Sequence, residues 1–364
     1  MTSTEAHIAL NMVPKLGPVR LRKLLDVFET PQRVLSATSA ELQSVDGIGP
    51  EAARSIASWQ KIVDLDAELK RIADFGARVL IPTDDEYPEA LRTIHDPPVA
   101  LYVWGQLDAR DRHAIGVVGT RKPTHYATEC SKKISYQLAY AGLTIFSGLA
   151  RGIDTAAHQG ALAAKGRTVA VLGGGLNHLY PPQNRELAEK IAAGNGAVIT
   201  EFPMDTQPDK QTFPMRNRIV AGCSFGLLVV EAGLNSGALI TANQAADQGR
   251  TIYAIPGHID NPVALGSNKL IQQGAKLIQS AQDILDDLGL LFSEEPQFIG
   301  RAAPADLSED ERKILDALGN DETHVDTLTS RSGLPTAKVS STLLALEMRR
   351  LVKQLPGSRF VRTN

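Results

Sequence analysis

The chain has 364 residues, 43% hydrophobic and 22% charged, with a formal net charge of −3. That length holds a large core and more than one domain, and the composition is that of an ordinary globular protein. A near-neutral balance excludes a general polycation, so any nucleic-acid contact must use locally focused positive charge. No apolar run reaches the roughly 18 residues of a membrane helix. MTSTEAHIALNMVPK has no basic flank followed by an apolar core, so no secretory signal and a cytoplasmic location are expected. Cys130 and Cys223 lie far apart and outside any CxxC or Cys/His cluster. Reduced thiols are therefore expected, and no metal site.

Residues 1–75 read as a helical domain. Leu16-Gly17-Pro18 precedes one apolar helical run, and Val45-Asp46-Gly47-Ile48-Gly49-Pro50 precedes another. The pattern predicts a helix-hairpin-helix of the SAM-like kind, whose turn can present backbone N–H groups to a phosphate. Glycine would also be needed there for a plain tight turn. Asp46 and Glu51 flank the turn and oppose direct DNA contact. Residues 76–110 read as a connector, with a strand from Val99 to Trp104.

From 111 to 290, short apolar runs alternate with helical patterns. The runs are Ala114–Val118, Leu143–Phe146, Thr168–Leu172, Ala197–Ile199, Gly226–Val230, Thr251–Ile255 and Lys276–Ile278. This order predicts an α/β, Rossmann-like, mostly parallel sheet covered on both faces. A linker is expected over 291–307. Residues 308–364 then show three helical patterns and a hairpin, the order of a winged helix. That region ends basic, with Arg349, Arg350, Lys353, Arg359 and Arg362. Its third helix offers Lys338, Ser340, Ser341 and Thr342, which suits a partner or auxiliary DNA role better than base readout.

Ligands of such sheets bind beyond the carboxyl ends of the strands. Those segments are Gly119-Thr120-Arg121-Lys122-Pro123, then Ser147-Gly148-Leu149-Ala150-Arg151-Gly152, then Gly173-Gly174-Gly175 with Tyr180 to Asn184. After them come Glu201-Phe202-Pro203, with Lys210 and Phe213-Pro214-Met215-Arg216-Asn217-Arg218 further on, and Glu231 to Gly237, including Ser236. One glycine-rich turn is a weak signal. A series of them carrying arginines points to a phosphate-rich ligand, through exposed N–H groups and planar guanidinium forks. The competing explanation is that the arginines pair with Asp154, Glu201 and Glu231. Asp154 is also a candidate N-cap, and His158 reads as a packed or capping histidine before a base. No GxxxxGK[ST], strand-linked GxGxxG, GxSxG or HExxH occurs, so the usual nucleotide, hydrolase and zinc chemistries lose their signatures.

At these residues the chain resembles the DprA family, the DNA-processing proteins of natural transformation. The resemblance rests on VVGTRKPTHYA (117–127), SGLARGIDTAAHQGAL (147–162), VAVLGGGLNHLYPPQN (169–184), TEFP (200–203), FPMRNRIVAG (213–222), VVEAGLNSGALITANQAADQGR (229–250), AIPG (254–257) and LGSNKLIQQGAKLI (265–278). Three positions depart from the usual pattern: Thr120 for serine, Ala127 for glycine and Asn177 for aspartate. The resemblance implies a non-enzymatic protein that binds single-stranded DNA, forms a homodimer through the Rossmann-like domain, protects incoming DNA and loads RecA. It implies no cofactor, no metal and no catalytic residue. Carried over by motif, Arg121 is the first phosphate candidate, then Arg216 and Arg218, then Arg151. Gly173–Gly175, Asn184 and Lys210 follow. Gly119, Thr120, Lys122, Gly148, Asn217, Ser236 and Gly237 complete the candidate wall. Phe213 and Tyr180 are the candidates for base stacking, although core packing explains each equally well. Two rival readings stand beside it. One is a nucleotide N-glycosidase using Glu231, which lacks the PGGxGTxxE segment expected of one; the other is a nucleotide-sensing winged-helix regulator.

Overall fold

The computed structural model describes residues 1–194, 196–289, 308–318, 323–348, 351–355 and 359–362. The chain divides into two compact units, 1–296 and 297–364. The predicted linker, 291–307, lies outside the described residues, as do Arg349 and Arg350.

The first unit opens with helices at Ser3–Met12, Pro18–Phe28, Pro31–Ser36, Ser39–Gln43, Pro50–Ala57 and Leu65–Phe75. Thr2 with Glu5, and Thr38 with Glu41, form capping boxes that satisfy the free N–H groups of their helices. The two hairpin helices instead start at Gly17 and Gly49, each followed by proline at the first helical position. Leu10, Leu24, Val34, Leu42 and Ile56 close a shared core. Asp46 and Glu51 do flank the second turn, but each is ion-paired: Lys23 reaches Asp46 at 2.9 Å, and Lys15 holds Glu51.

The sheet of this unit has nine strands: β1 (Arg78–Leu80), β2 (Leu101–Gly105), β3 (Ala114–Val118), β4 (Thr144–Ser147), β5 (Thr168–Val171), β6 (Gly196–Thr200), β7 (Gly226–Val229), β8 (Thr251–Ala254) and β9 (Lys276–Leu277). Their order is β1-β2-β6-β5-β4-β3-β7-β8-β9. From β6 to β9 every neighbouring pair is parallel; β2 joins β6, and β1 joins β2, antiparallel. Residues 76–110 are thus not a connector. They extend the sheet by two strands and pack Tyr87, Leu91 and Ile94 into its core.

Side chains of a strand alternate between faces. Ile115 and Val117 of β3 pack with Ile134, Leu138 and Ala157 from helices His125–Tyr140 and Ile153–Ala163. Ala114 and Val118 face the opposite layer, with Ile219 and Val220 of helix Thr212–Gly222 and Ala242 of helix Gly237–Asp247. Both faces are covered, which explains why the strands read as continuous apolar runs.

His158 is fully buried on helix Ile153–Ala163. Its Nδ1 lies 2.6 Å from the Thr168 hydroxyl, which itself donates to the Ile145 carbonyl at 2.7 Å. Nδ1 therefore carries the proton and donates, while Nε2 meets no partner. Burial, with the nearby Arg216 charge, pushes its pKa down to about 3. An unfolded histidine titrates near 6.5, so the unfolded chain holds the extra proton between the two values and stability falls as pH drops through that window. The urea midpoint should be flat above pH 7. About 2 kcal/mol should be lost by pH 5 from this group, and His158→Gln should remove that part of the slope.

The second unit has helices Glu309–Leu318, Val325–Ser332 and Thr336–Met348. Its sheet runs β10-β12-β11, from β10 (Thr323–His324), β11 (Val352–Leu355) and β12 (Arg359–Arg362). Ile314, Leu315, Leu328, Leu343 and Phe360 form its core, a winged-helix arrangement. Lys338 of the third helix pairs with Asp310 at 3.1 Å. Among the described residues, no helix is long and apolar enough to cross a membrane.

Candidate nucleic-acid interface

From the central β3 the chain winds one way through β4, β5 and β6, and the other way through β7, β8 and β9. A pocket opens beyond the carboxyl ends of β4 and β5, beside this divide. It gathers residues from three strand-end loops and helix Thr212–Gly222: Arg121, Gly148, Arg151, Gly173, Gly174, Phe213 and Arg216, all candidates from the sequence, together with Tyr180.

Arg216 forms its floor. The side chain rises from helix Thr212–Gly222 and is almost wholly buried. Its guanidinium donates to the Gly148 carbonyl at 2.6 Å, to the Val171 carbonyl, and through Nε to Asn217 Oδ1 at 3.1 Å. Gly148 is what makes room for it: a Cβ there would stand 2.5 Å from the guanidinium. Burial pushes the Arg216 pKa down to about 10, opposed by the Asp154 carboxylate and helped by the Arg121 charge. The group stays cationic at neutral pH. Asp154 lies buried beside it and accepts from the N–H groups of Gly148 and Ala150 at 3.1 and 3.2 Å. It is not the N-cap, which is Gly152; the carboxylate fastens the preceding loop instead.

Arg121 closes the pocket from the β3 loop. It is exposed, and its guanidinium lies over the Phe213 ring at 5.0 Å from the centroid. Phe213 in turn packs against Gly173, where a Cβ would fall 2.7 Å from the ring, and stands 5.9 Å from the exposed Tyr180 ring. The N–H groups of Gly173 and Gly174 meet no acceptor among the described residues. That of Gly175 is spent on the Thr206 carbonyl at 2.9 Å. The pocket thus offers two exposed arginines, Arg121 and Arg151, and the buried Arg216, together with free backbone donors and two aromatic rings.

Other candidates fall outside it. Arg218 is buried in a bidentate ion pair with Glu201, both bonds at 2.7 Å, and reaches Asp96 at 2.8 Å. Burial alone would lower its pKa, but Glu201 and Asp96 outweigh that and raise it. Its fork is occupied by protein carboxylates, as the competing explanation had it. Asn184 is equally committed: its amide donates to the Leu149 carbonyl and the Thr155 hydroxyl at 2.7 and 2.8 Å. Thr120 builds the β3 turn, donating to the Glu231 carbonyl at 2.8 Å and accepting from the Lys122 N–H. Gly119 lets helix Ile153–Ala163 approach, since a Cβ would lie 2.6 Å from Ile153. Gly175 makes room for the Pro203 carbonyl in the same way. Ser236 caps helix Gly237–Asp247, at the loop after β7. Lys122 and Lys210 are exposed and carry no ion pair among the described residues. Both Glu231 oxygens accept from Thr124, one from its N–H and one from its hydroxyl, each at 2.8 Å.

Sequence reasoning missed His178 and Pro208, which also line the pocket. His178 stands just after the triple glycine, where that motif was the available signal; nothing in the sequence marks Pro208. No three His, Cys, Asp or Glu side chains gather to hold a metal ion among the described residues.

The family model for DNA recombination-mediator protein A matches residues 78–289. The chain belongs to this family, the DprA/Smf proteins. A DprA winged helix domain matches residues 300–358, and a SAM-like helix-hairpin-helix tandem matches 8–58. Protein Smf of Synechocystis sp. is 36% identical over 98% of both chains. DNA processing protein DprA of Streptococcus pneumoniae is 44% identical over 56% of this chain and 71% of its own length. The X-ray structure of the S. pneumoniae DprA superposes on 79% of this chain and 99% of that one, with a TM-score of 0.70 and 35% identity. A structure of DNA processing protein A from Helicobacter pylori, described for its single-stranded DNA binding mode, covers 59% of this chain and 97% of its own, with a TM-score of 0.53 and 28% identity. As a member, this DprA/Smf chain is a DNA-processing protein with a Rossmann-like sheet between a helix-hairpin-helix region and a winged helix.

Proposed function

We propose that the strand-end pocket binds the phosphates of single-stranded DNA, and that the protein is a non-enzymatic recombination mediator. The observation that carries this is the convergence of Arg121 and Arg216 on one pocket, one exposed and one buried, with Phe213 and Tyr180 beside them. A guanidinium held in a low-dielectric floor attracts an anion more strongly than one in water. The rings suit unstacked bases, and no groove-reading helix is needed. The H. pylori relative's described single-stranded DNA binding supports the ligand. Within the pocket, Arg121, Arg151, Gly148, Gly173, Gly174, Phe213 and Arg216 make the contacts. Lys122 and Lys210 add charge at the rim, and Asn217 holds Arg216. Arg218, Asn184, Gly119, Thr120, Gly175 and Ser236 shape the loops.

The glycosidase alternative needs a carboxylate that faces the pocket, and Glu231 does not line it, accepting from Thr124 through both oxygens instead. His158, buried and neutral, presents no base to the pocket. In this reading the protein protects incoming DNA in the cytoplasm and loads RecA on it. It works as a homodimer of the Rossmann-like unit. Ile259, 88% exposed, and Leu277 on the short edge strand β9, 44% exposed, are apolar side chains that such pairing would cover.

One titration tests the DNA assignment. Affinity for an oligothymidylate should exceed that for duplex of equal length. Log K should fall with log salt, with a slope of about −0.7 per phosphate neutralised. Equal affinity for the two forms would overturn the reading. Faster RecA filament assembly on single-stranded DNA, at substoichiometric protein, tests the loading step.

A further inference from the structure

Helix His125–Tyr140 starts directly after the Arg121-Lys122-Pro123 loop, capped by Thr124, and is about 24 Å long. Ala127, Ile134, Leu138 and Ala139 face the core. The opposite stripe carries Tyr126, Glu129, Lys133, Tyr136 and Tyr140, all exposed and spaced three or four residues apart along one side. Tyr126 is 54% exposed, Tyr136 36% and Tyr140 47%. The Tyr136 and Tyr140 rings lie nearly parallel, 6.1 Å between centroids and 14° between planes. The apolar face of the helix is buried on the other side, among Ala127, Ile134 and Leu138.

We infer that this stripe is a second contact surface for single-stranded nucleic acid, continuing the path of the strand as it leaves the strand-end pocket; the inference rests on the pocket being the phosphate site proposed above. Three observations fix the occupant. The stripe is continuous with the Arg121-Lys122 loop at its N-terminal end. It leaves one cation open to phosphate: Lys133 has no ion pair among the described residues, and the one carboxylate of the stripe, Glu129, lies 3.6 Å from Lys132, which offsets its charge. Its rings are exposed π-faces rather than a greasy aliphatic patch, and bases stack on such faces without regard to sequence. Tyr126 to Tyr136 spans about 15 Å of helix axis, so the stripe engages nucleotides beyond those held in the pocket.

The test compares two oligothymidylates, one of about six nucleotides and one of about 25, titrated against the full chain by fluorescence anisotropy. The double variant Tyr136→Ala/Tyr140→Ala should weaken the long oligonucleotide about tenfold and the short one less than twofold. Tyr126→Ala and Lys133→Ala should each give smaller losses, again on the long one alone. Tyr136→Trp should bind the long oligonucleotide at least as tightly as the native chain, which a purely structural role would not produce. Arg121→Ala should weaken both lengths. If Arg121→Ala does so while the tyrosine variants leave both affinities unchanged, the stripe is not a DNA surface and the pocket reading survives. If the tyrosine variants shift oligomeric state in light scattering and leave the long-oligonucleotide affinity intact, the stripe belongs to a protein partner and the inference falls. If the native chain binds neither length, the pocket reading itself fails.

Discussion

Replacing Arg121 with alanine should weaken single-stranded DNA binding by about 10- to 100-fold at moderate salt. It should also flatten the salt dependence by about 0.7. The guanidinium is exposed and stacked on Phe213 with no ion pair among the described residues, so its removal leaves no buried partner behind. Thermal stability should hardly move. Arg121→Lys should fall between the two proteins, because the charge survives while the planar fork and its stacking on the ring are lost. Phe213→Ala should cost less than Arg121→Ala, since it frees the guanidinium without removing it. Isothermal titration at three salt concentrations checks the series. A loss below twofold with an unchanged slope would remove the pocket as the phosphate site.

The largest stability effect is expected at Arg218. Its guanidinium joins helix Thr212–Gly222 to Glu201 at the end of β6 and to Asp96 in the turn before β2. Arg218→Ala leaves the Glu201 carboxylate buried and without its cation. Such losses cost about 3–5 kcal/mol. For a unit of this size that is a fall in Tm on the order of 10 °C. The double variant Arg218→Met/Glu201→Leu should recover most of it, because neither charge is then stranded. Differential scanning calorimetry checks both. A single variant as stable as the native chain would show that Glu201 finds water or another partner when Arg218 is gone.

Much of this was legible in the sequence, and the limits have physical causes. The parallel strands from β3 to β7 announced themselves within a residue or so because both faces are buried, which makes each an apolar run bounded by glycine or polar residues, whereas β8 and β9 towards the edge are partly exposed. The strand-end loops were legible because connection order fixes where a ligand crevice lies. What was not legible is which arginine faces the ligand. Arg216 and Arg218 stand two residues apart in the same motif. Yet one floors the pocket and the other is locked to Glu201 and Asp96, the latter 122 residues away in sequence. Local pattern carries no record of that distance. The glycines likewise have a reason within the fold. Gly119, Gly148 and Gly175 admit a neighbouring helix, a guanidinium and a carbonyl of the same chain, respectively, before any phosphate. β1 was hidden for another reason: it has three residues and is defined by its pairing with β2.

Those two antiparallel strands bear on which piece of the chain folds alone. A fragment cut at Asp111 would look complete by its parallel βαβ units. It would leave β6 as a bare edge, ready to pair with another molecule. It would also lose Asp96 from the Arg218 pair and Tyr87 and Leu91 from the core. The smallest autonomous unit therefore begins before Arg78 and includes the N-terminal helices, whose Ile8 and Ile72 share a core with Tyr102, Leu149 and Leu172 of the sheet. A chain shortened to Asp111 should be recovered as aggregate, and one shortened to Ala77 should also lose stability, because it uncovers Tyr102 and Leu172 and leaves the Met204 N–H without Glu68.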